Sequence, residues 1–106
     1  MVYYSDVAKY DLKEILQGLA TWKKHPLSYD HAARYVADIR TTCDNLEYKS
    51  IHFNADYEIH KKYGKKVHLY KRNSATSWYI IYNIDIKGDI FIQKIINNHL
   101  TIITKD

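Results

Sequence analysis

The hydrophobic repeat of this chain changes its period part of the way along, and that change limits the folds open to it. Leu12, Ile15, Leu16, Leu19 and Trp22 follow one another at helical spacing. Ala32, Tyr35, Val36, Ile39, Cys43 and Leu46 repeat the pattern more cleanly, as the stripe of a second amphipathic helix. After Val67 the spacing falls towards two. Val67 to Tyr70 alternates, Trp78 to Ile84 is a strongly β-prone run, and Ile90, Ile92, Lys94 and Ile96 share one face of a further segment. Helices first and strands afterwards point to the α+β class.

Punctuation residues set the boundaries. Ser5 is placed to cap a helix over residues 6–23, with Asp6 near its positive end. Lys23 and Lys24 suit the other end, and Pro26 blocks continuation. Ser28 caps the second helix, over residues 28–48. A connection this short predicts an antiparallel helical hairpin. Val2–Tyr4 reads as a short edge strand, and residues 49–65 lack a period and read as an irregular loop. Asn73 to Thr76 and Lys87-Gly88 supply turns, and Leu100–Thr104 adds a short edge segment. The expectation is one domain over residues 1–106, with the hairpin covering one face of a three- or four-stranded antiparallel sheet.

Charge is distributed unevenly. Residues 1–56 carry a net −1 and residues 73–106 a net zero, whereas residues 57–72 carry +5. Lys61, Lys62, Lys65, Lys66, Lys71 and Arg72 face Glu58 alone in that span, the usual footprint of a phosphate-binding surface. The same pattern also suits a strand edge guarded against pairing with another chain. Eleven tyrosines against two phenylalanines indicate rings packed at one end and wet at the other. The N-terminus gathers charge at once and has no signal-peptide pattern. The longest uncharged stretch, Asn73 to Ile84, is too short to span a bilayer, so no membrane role is expected. A single cysteine fits a reducing compartment, and a cytoplasmic location follows.

Most catalytic chemistries lack their residues. Six histidines include no pair at i, i+4 on a helix and no HExxH, and there is no CxxC, so neither a metal nor a cofactor is expected. Cys43 sits on an apolar stripe, where a thiol behaves as a small hydrophobe. The three glycines are isolated and form no phosphate loop. RNA cleavage by the ribose 2′-hydroxyl remains, since it needs a base, an acid and cations around the phosphate. Lys65, Lys66, Lys71 and Arg72 supply candidate cations, His99 or His68 proton transfer, and Tyr82 or Tyr79 stacking or a proton. Each also has a structural reading: the tyrosines as sheet residues, His68 as the solvent side of a strand, His99 as a strand-ending cap.

The ordering, with Ser5, Ala8, Asp11, Leu12 and Ile15 opening the first helix, resembles the RelE/ParE superfamily of bacterial toxins. Leu69 to Arg72 and Trp78 to Tyr82 resemble its central strands, and Ile90 to Ile96 followed by Asn97, Asn98 and His99 its last strand and polar end. The resemblance runs over essentially the whole chain. It implies the toxin of a type II toxin–antitoxin pair, held in a heteromeric complex by a cognate antitoxin. RelE-like members cut mRNA in the ribosome, which for this chain implies His99, Arg72 and Tyr82 at the catalytic centre and Lys61, Lys62, Lys65, Lys66, Lys71 and Arg72 on nucleic acid. ParE-like members inhibit DNA gyrase without cutting RNA, and an inactive relative would only bind antitoxin. This sequence departs from RelE-like nucleases in having Tyr79 where an arginine is usual and no arginine after Arg72. The lysine- and arginine-rich segment favours the mRNA-cleaving branch.

Overall fold

A computed structural model describes residues 1–21 and 28–97. The strand β1 (Val2–Tyr4) leads into α1 (Asp6–Thr21), and α2 (Tyr29–Asp44) runs on into a 3-10 turn, Asn45–Tyr48. Then come β2 (Phe53–Asn54), a single helical turn α3 (Glu58–Lys61), β3 (Lys66–Lys71), β4 (Ser77–Ile84) and β5 (Ile90–Asn97). Trp22, Lys23, Lys24, Pro26, His99 and the expected edge segment Leu100–Thr104 lie outside the described residues.

Both helix caps have the anticipated chemistry. Ser5 Oγ accepts from the Ala8 amide at 3.0 Å, and Ser28 Oγ accepts from the His31 amide at 3.2 Å. Ala8, Leu12, Ile39, Cys43 and Leu46 are buried against Trp78, Ile80, Tyr82, Ile90, Ile92 and Ile95 of the sheet. Tyr35 and Val36 pack against that core from the α2 stripe. The domain is α+β, with α1 and α2 on one face of a sheet. No helix among the described residues is long and apolar enough to cross a membrane.

The sheet differs from the expected antiparallel meander. It has five strands in the order β1-β5-β4-β3-β2, and β1 pairs with β5 in parallel, Val2 opposite Ile90 and Tyr4 opposite Ile92. A parallel pair needs a long crossover, which everything between β1 and β5 supplies here. Period analysis finds strands without naming partners, so an edge strand read at Val2–Tyr4 left its direction open. The 49–65 segment is also more ordered than its lack of period suggested. It holds β2, antiparallel to β3 at Phe53–Val67 and Asn54–Lys66, and α3. Elements of two and four residues are too short to show a repeat.

The turns are tied by side chains. Asn73 Oδ1 accepts from the Ala75 and Thr76 amides, and Asp85 Oδ1 accepts from Lys87 and Asp89, each at 2.9 Å. Gly88 completes the second turn at φ 89°, where a side chain would be strained. Between β4 and β5 the register shifts: Ile81 faces Lys94, the next residue Tyr82 faces Ile92, and Gln93 is left over as a bulge.

β1 covers only the first half of β5. Past Ile92 the open edge is satisfied by the start of α1. The Ser5 amide donates to Ile92 O at 2.9 Å and its hydroxyl to Gln93 O at 3.1 Å. The nearly buried Asp11 carboxylate accepts from the Ile95 amide at 3.0 Å and from Lys94 Nζ at 2.8 Å. Asp11→Ala strands a buried amide and a half-buried ammonium, and should cost about 2–4 kcal/mol. Urea unfolding is expected to show a lower midpoint at unchanged slope. Asp6→Ala, on the exposed first turn, serves as the control; equal midpoints for both variants would refute the role given to Asp11.

Candidate nucleic-acid interface

β3 sorts its side chains onto two faces. Lys66, His68 and Tyr70 stand opposite Tyr82, Ile80 and Trp78 of β4, which places them on the helix-covered face. Val67, Leu69 and Lys71 stand on the other face, opposite Ile81, Tyr79 and Ser77. The basic cluster of the sequence is therefore split by the pleat.

On the helix-covered face, beyond the end of α2, five polar groups converge. His52 Nδ1 lies 2.8 Å from the Tyr82 hydroxyl, with the two rings edge to face at 5.7 Å. Burial pushes the Tyr82 phenol up to about 12, so it stays protonated. A protonated phenol donating to Nδ1 suits the tautomer of His52 that carries its hydrogen on Nε2. His68 lies diagonally across the strands from Tyr82. Burial lowers its pKa, and the charges of Lys49 and His52 lower it further. Lys66, directly opposite Tyr82, hydrogen-bonds Asn54 Oδ1 at 2.7 Å through Nζ. His52, His68 and Lys66 are each partly exposed, so the cluster opens to solvent.

Tyr82 itself is a core residue, 1% exposed, and only its hydroxyl reaches the cluster. Its ring offers no surface on which a base could stack. Arg72 is engaged elsewhere. It pairs with Asp38 of α2, donates to the Tyr70 hydroxyl at 3.1 Å and lies 4.3 Å above the Tyr35 ring. The Asp38 hydrogen bond, foremost, raises its already high pKa, and the group works as a strut between α2 and the β3–β4 turn. Lys61 and Lys62 are exposed at α3, the first 3.7 Å from Glu58 and the second 5.1 Å from the centre of the Tyr63 ring. Lys65 and Lys71 are exposed at the two ends of β3. α3 covers the second face, since His60 leans on Tyr79 with ring centres 4.6 Å apart. Lys61 and Lys62 thus belong to that face and not to the histidine cluster. His99 lies outside the described residues.

Cys43 is fully buried and its thiol is pushed up to about 12 by burial, which removes it as a nucleophile. Among the described residues no group of three or more metal-ligating side chains occurs. Sequence reasoning missed Lys49 and His52, which lie in the segment without a period. A signal for Lys66, His68 and Tyr82 was present: the Asn73–Thr76 turn fixes the hairpin register, and alternation then brings the three to one face.

No protein-family model, no curated protein and no solved structure matches the chain.

Burial lowers the pKa of both His60 and His68. The unfolded chain therefore binds protons that the folded chain refuses. Stability should be full above about pH 6.5 and fall as pH drops through that value towards the folded pKa values. Thermal unfolding at pH 5 and pH 7.5 checks the sign, with the lower melting temperature expected at pH 5. In Lys49→Ala, NMR titration of the His68 ring should move upward, because a repelling charge is gone. A His68 titration unmoved by that change would separate the two groups.

Proposed function

We propose that this domain is the toxin of a type II toxin–antitoxin pair and that it arrests growth by cutting mRNA on the ribosome, in the manner of the RelE-like members it resembles. The observation that carries the cleavage reading is the meeting of His52, His68 and the Tyr82 hydroxyl with Lys49 and Lys66 on one partly open face. The order of a strand, two helices and then an antiparallel run of strands agrees with the resemblance.

The chemistry follows from the environments. His68, kept neutral by burial and by the neighbouring positive charges, takes the proton of the ribose 2′-hydroxyl. The 2′-oxygen attacks phosphorus and forms a 2′,3′-cyclic phosphate, and the bond to the 5′-oxygen breaks. With a proton on both nitrogens, and its Nδ1–H then donating to the Tyr82 oxygen, His52 returns the Nε2 proton to that leaving oxygen. Lys49 and Lys66 stabilise the extra negative charge on the five-coordinate phosphorus. No metal or cofactor is required. The partner of the resting state is an antitoxin, bound in a heteromeric complex.

Induced expression in a bacterium tests the reading. Growth arrest is expected, relieved by the antitoxin, with cuts in translated mRNA and intact chromosomal DNA. His68→Ala and His52→Ala should each lower the cleavage rate by about 10²-fold or more without loss of the fold. Intact mRNA together with broken DNA and blocked supercoiling would move the domain to the gyrase-inhibiting branch. Harmless expression would mark an inactive antitoxin-binding relative.

A further inference from the structure

The second face of the sheet holds a buried histidine outside the cleavage cluster. His60 is 2% exposed, and among the described residues neither of its ring nitrogens has a hydrogen-bond partner. Buried polar atoms left unpaired are rare in folded proteins, and each calls for a reason. The ring is held firmly. It leans on Tyr79 at a tilt of 39° with ring centres 4.6 Å apart, and Tyr57 meets it edge to face at 5.5 Å. The segment around it presses onto the sheet: the Ala55 amide donates to Lys65 O at 2.9 Å, and a Cβ on Gly64 would stand 3.0 Å from Ile81 Cγ2 and 3.1 Å from Tyr82 O.

His60 forms part of the wall of a pocket of about 150 Å³, with Phe53, Tyr57, Leu69 and Tyr79 as its apolar lining. That is the size of an engineered protein cavity that takes up benzene. Phe53, Tyr57 and Leu69 are 66%, 67% and 52% exposed, an unusual outlay of apolar surface around one hollow. Asp56 and Asn54 add acceptor groups to the lining. Exposed cations flank it: Lys61 and Lys62 follow His60 on α3, Lys65 precedes β3, and Lys71 lies two residues beyond Leu69 on the same strand face.

We infer that this pocket is a nucleobase subsite, in which one unstacked base of single-stranded RNA lies against the exposed aromatic rings and hydrogen-bonds one nitrogen of His60. The choice of RNA as ligand rests on the RNA-acting reading above. Aromatic stacking with cations along the backbone is how single strands are held without a groove. A neutral imidazole offers a donor on one nitrogen and an acceptor on the other, and either can meet a group on a base edge. The nitrogens lie beneath the surface of the pocket, so a base reaches one of them when the exposed Tyr57 ring swings aside. The lysines, outnumbering Asp56 and Glu58, favour a phosphate backbone over an acid-free apolar peptide.

Binding of fluorescein-labelled RNA hexamers with 2′-O-methyl groups, which cannot be cut by 2′-hydroxyl attack, tests this by anisotropy at fixed salt. Tyr57→Ala and His60→Phe should each weaken binding roughly tenfold, the scale of one lost stacked base. Their salt dependence should match that of the unaltered protein, since no cation is removed. His60→Phe keeps a flat ring but a bulkier one, so its melting temperature is compared with that of the unaltered protein to separate lost binding from lost packing. Unchanged affinity in both Tyr57→Ala and His60→Phe overturns the subsite and leaves the cleavage reading standing. Base-dependent binding in a protein whose induction leaves translated mRNA intact sinks the cleavage reading and keeps the subsite. A tyrosine- or tryptophan-bearing peptide that fills the pocket where RNA does not would assign it to a protein partner and overturn the proposal.

Discussion

A strand that is covered along only half its edge must satisfy the other half some way. β5 meets β1 from Ile90 to Ile92, and there the neighbouring chain turns away into α1. Ser5 and Asp11 take over the hydrogen bonds that a longer β1 would have made, to Ile92, Gln93 and Ile95. The first turns of α1 are thereby fixed against β5, and Ala8 and Leu12 are delivered to the core. α2 packs beside α1, and its C-terminal extension sets out the Lys49–His52 segment over the far strands. The geometry of the polar cluster thus traces back to one carboxylate and one hydroxyl at a sheet edge.

The bulge at Gln93 has a complementary effect. It lets Ile92 and Ile95, three residues apart, both turn towards the helices, while Lys94 bends round the edge to Asp11. On β4, Tyr82 then keeps company with Trp78 and Ile80 in the core, and only its hydroxyl is left at the boundary with His52. A phenol in that position holds an imidazole in one orientation. The same strand gives Tyr79 to the opposite face, where it supports His60. One central strand therefore underpins both polar features of the molecule.

How much of this was legible in the sequence depended on how many residues each decision involved. Long stripes such as Ala32 to Leu46 average over enough positions to be read, and Ser5 and Ser28 mark helix starts by a local hydrogen bond that sequence rules know. The direction of β1 was not legible, because it depends on a contact across 88 residues rather than on its own three. The cations were found as a cluster along the chain, yet alternation about β3 sends Lys66 one way and Lys71 the other. Arg72 looked available for phosphate because Asp38, its partner, is 34 residues away. His52 and His68 are 16 positions apart and meet only once β2 and β3 pair, so their cooperation belongs to the fold.

The pairing of β1 with β5 also orders events in time. The first strand made is among the last to find its partner, since Ile90 to Ile95 must be synthesised before the edge contacts of β1, Ser5 and Asp11 can form. Contacts of such long range slow folding, because a large loop must close before any of them repays its entropy. The α1–α2 pair can form early but has no sheet to rest on. A partly made chain therefore has helices without a core, and the His52–Tyr82 contact waits for the same closure. Whatever this domain does, it does only after β5 has been made, a delay written into the topology.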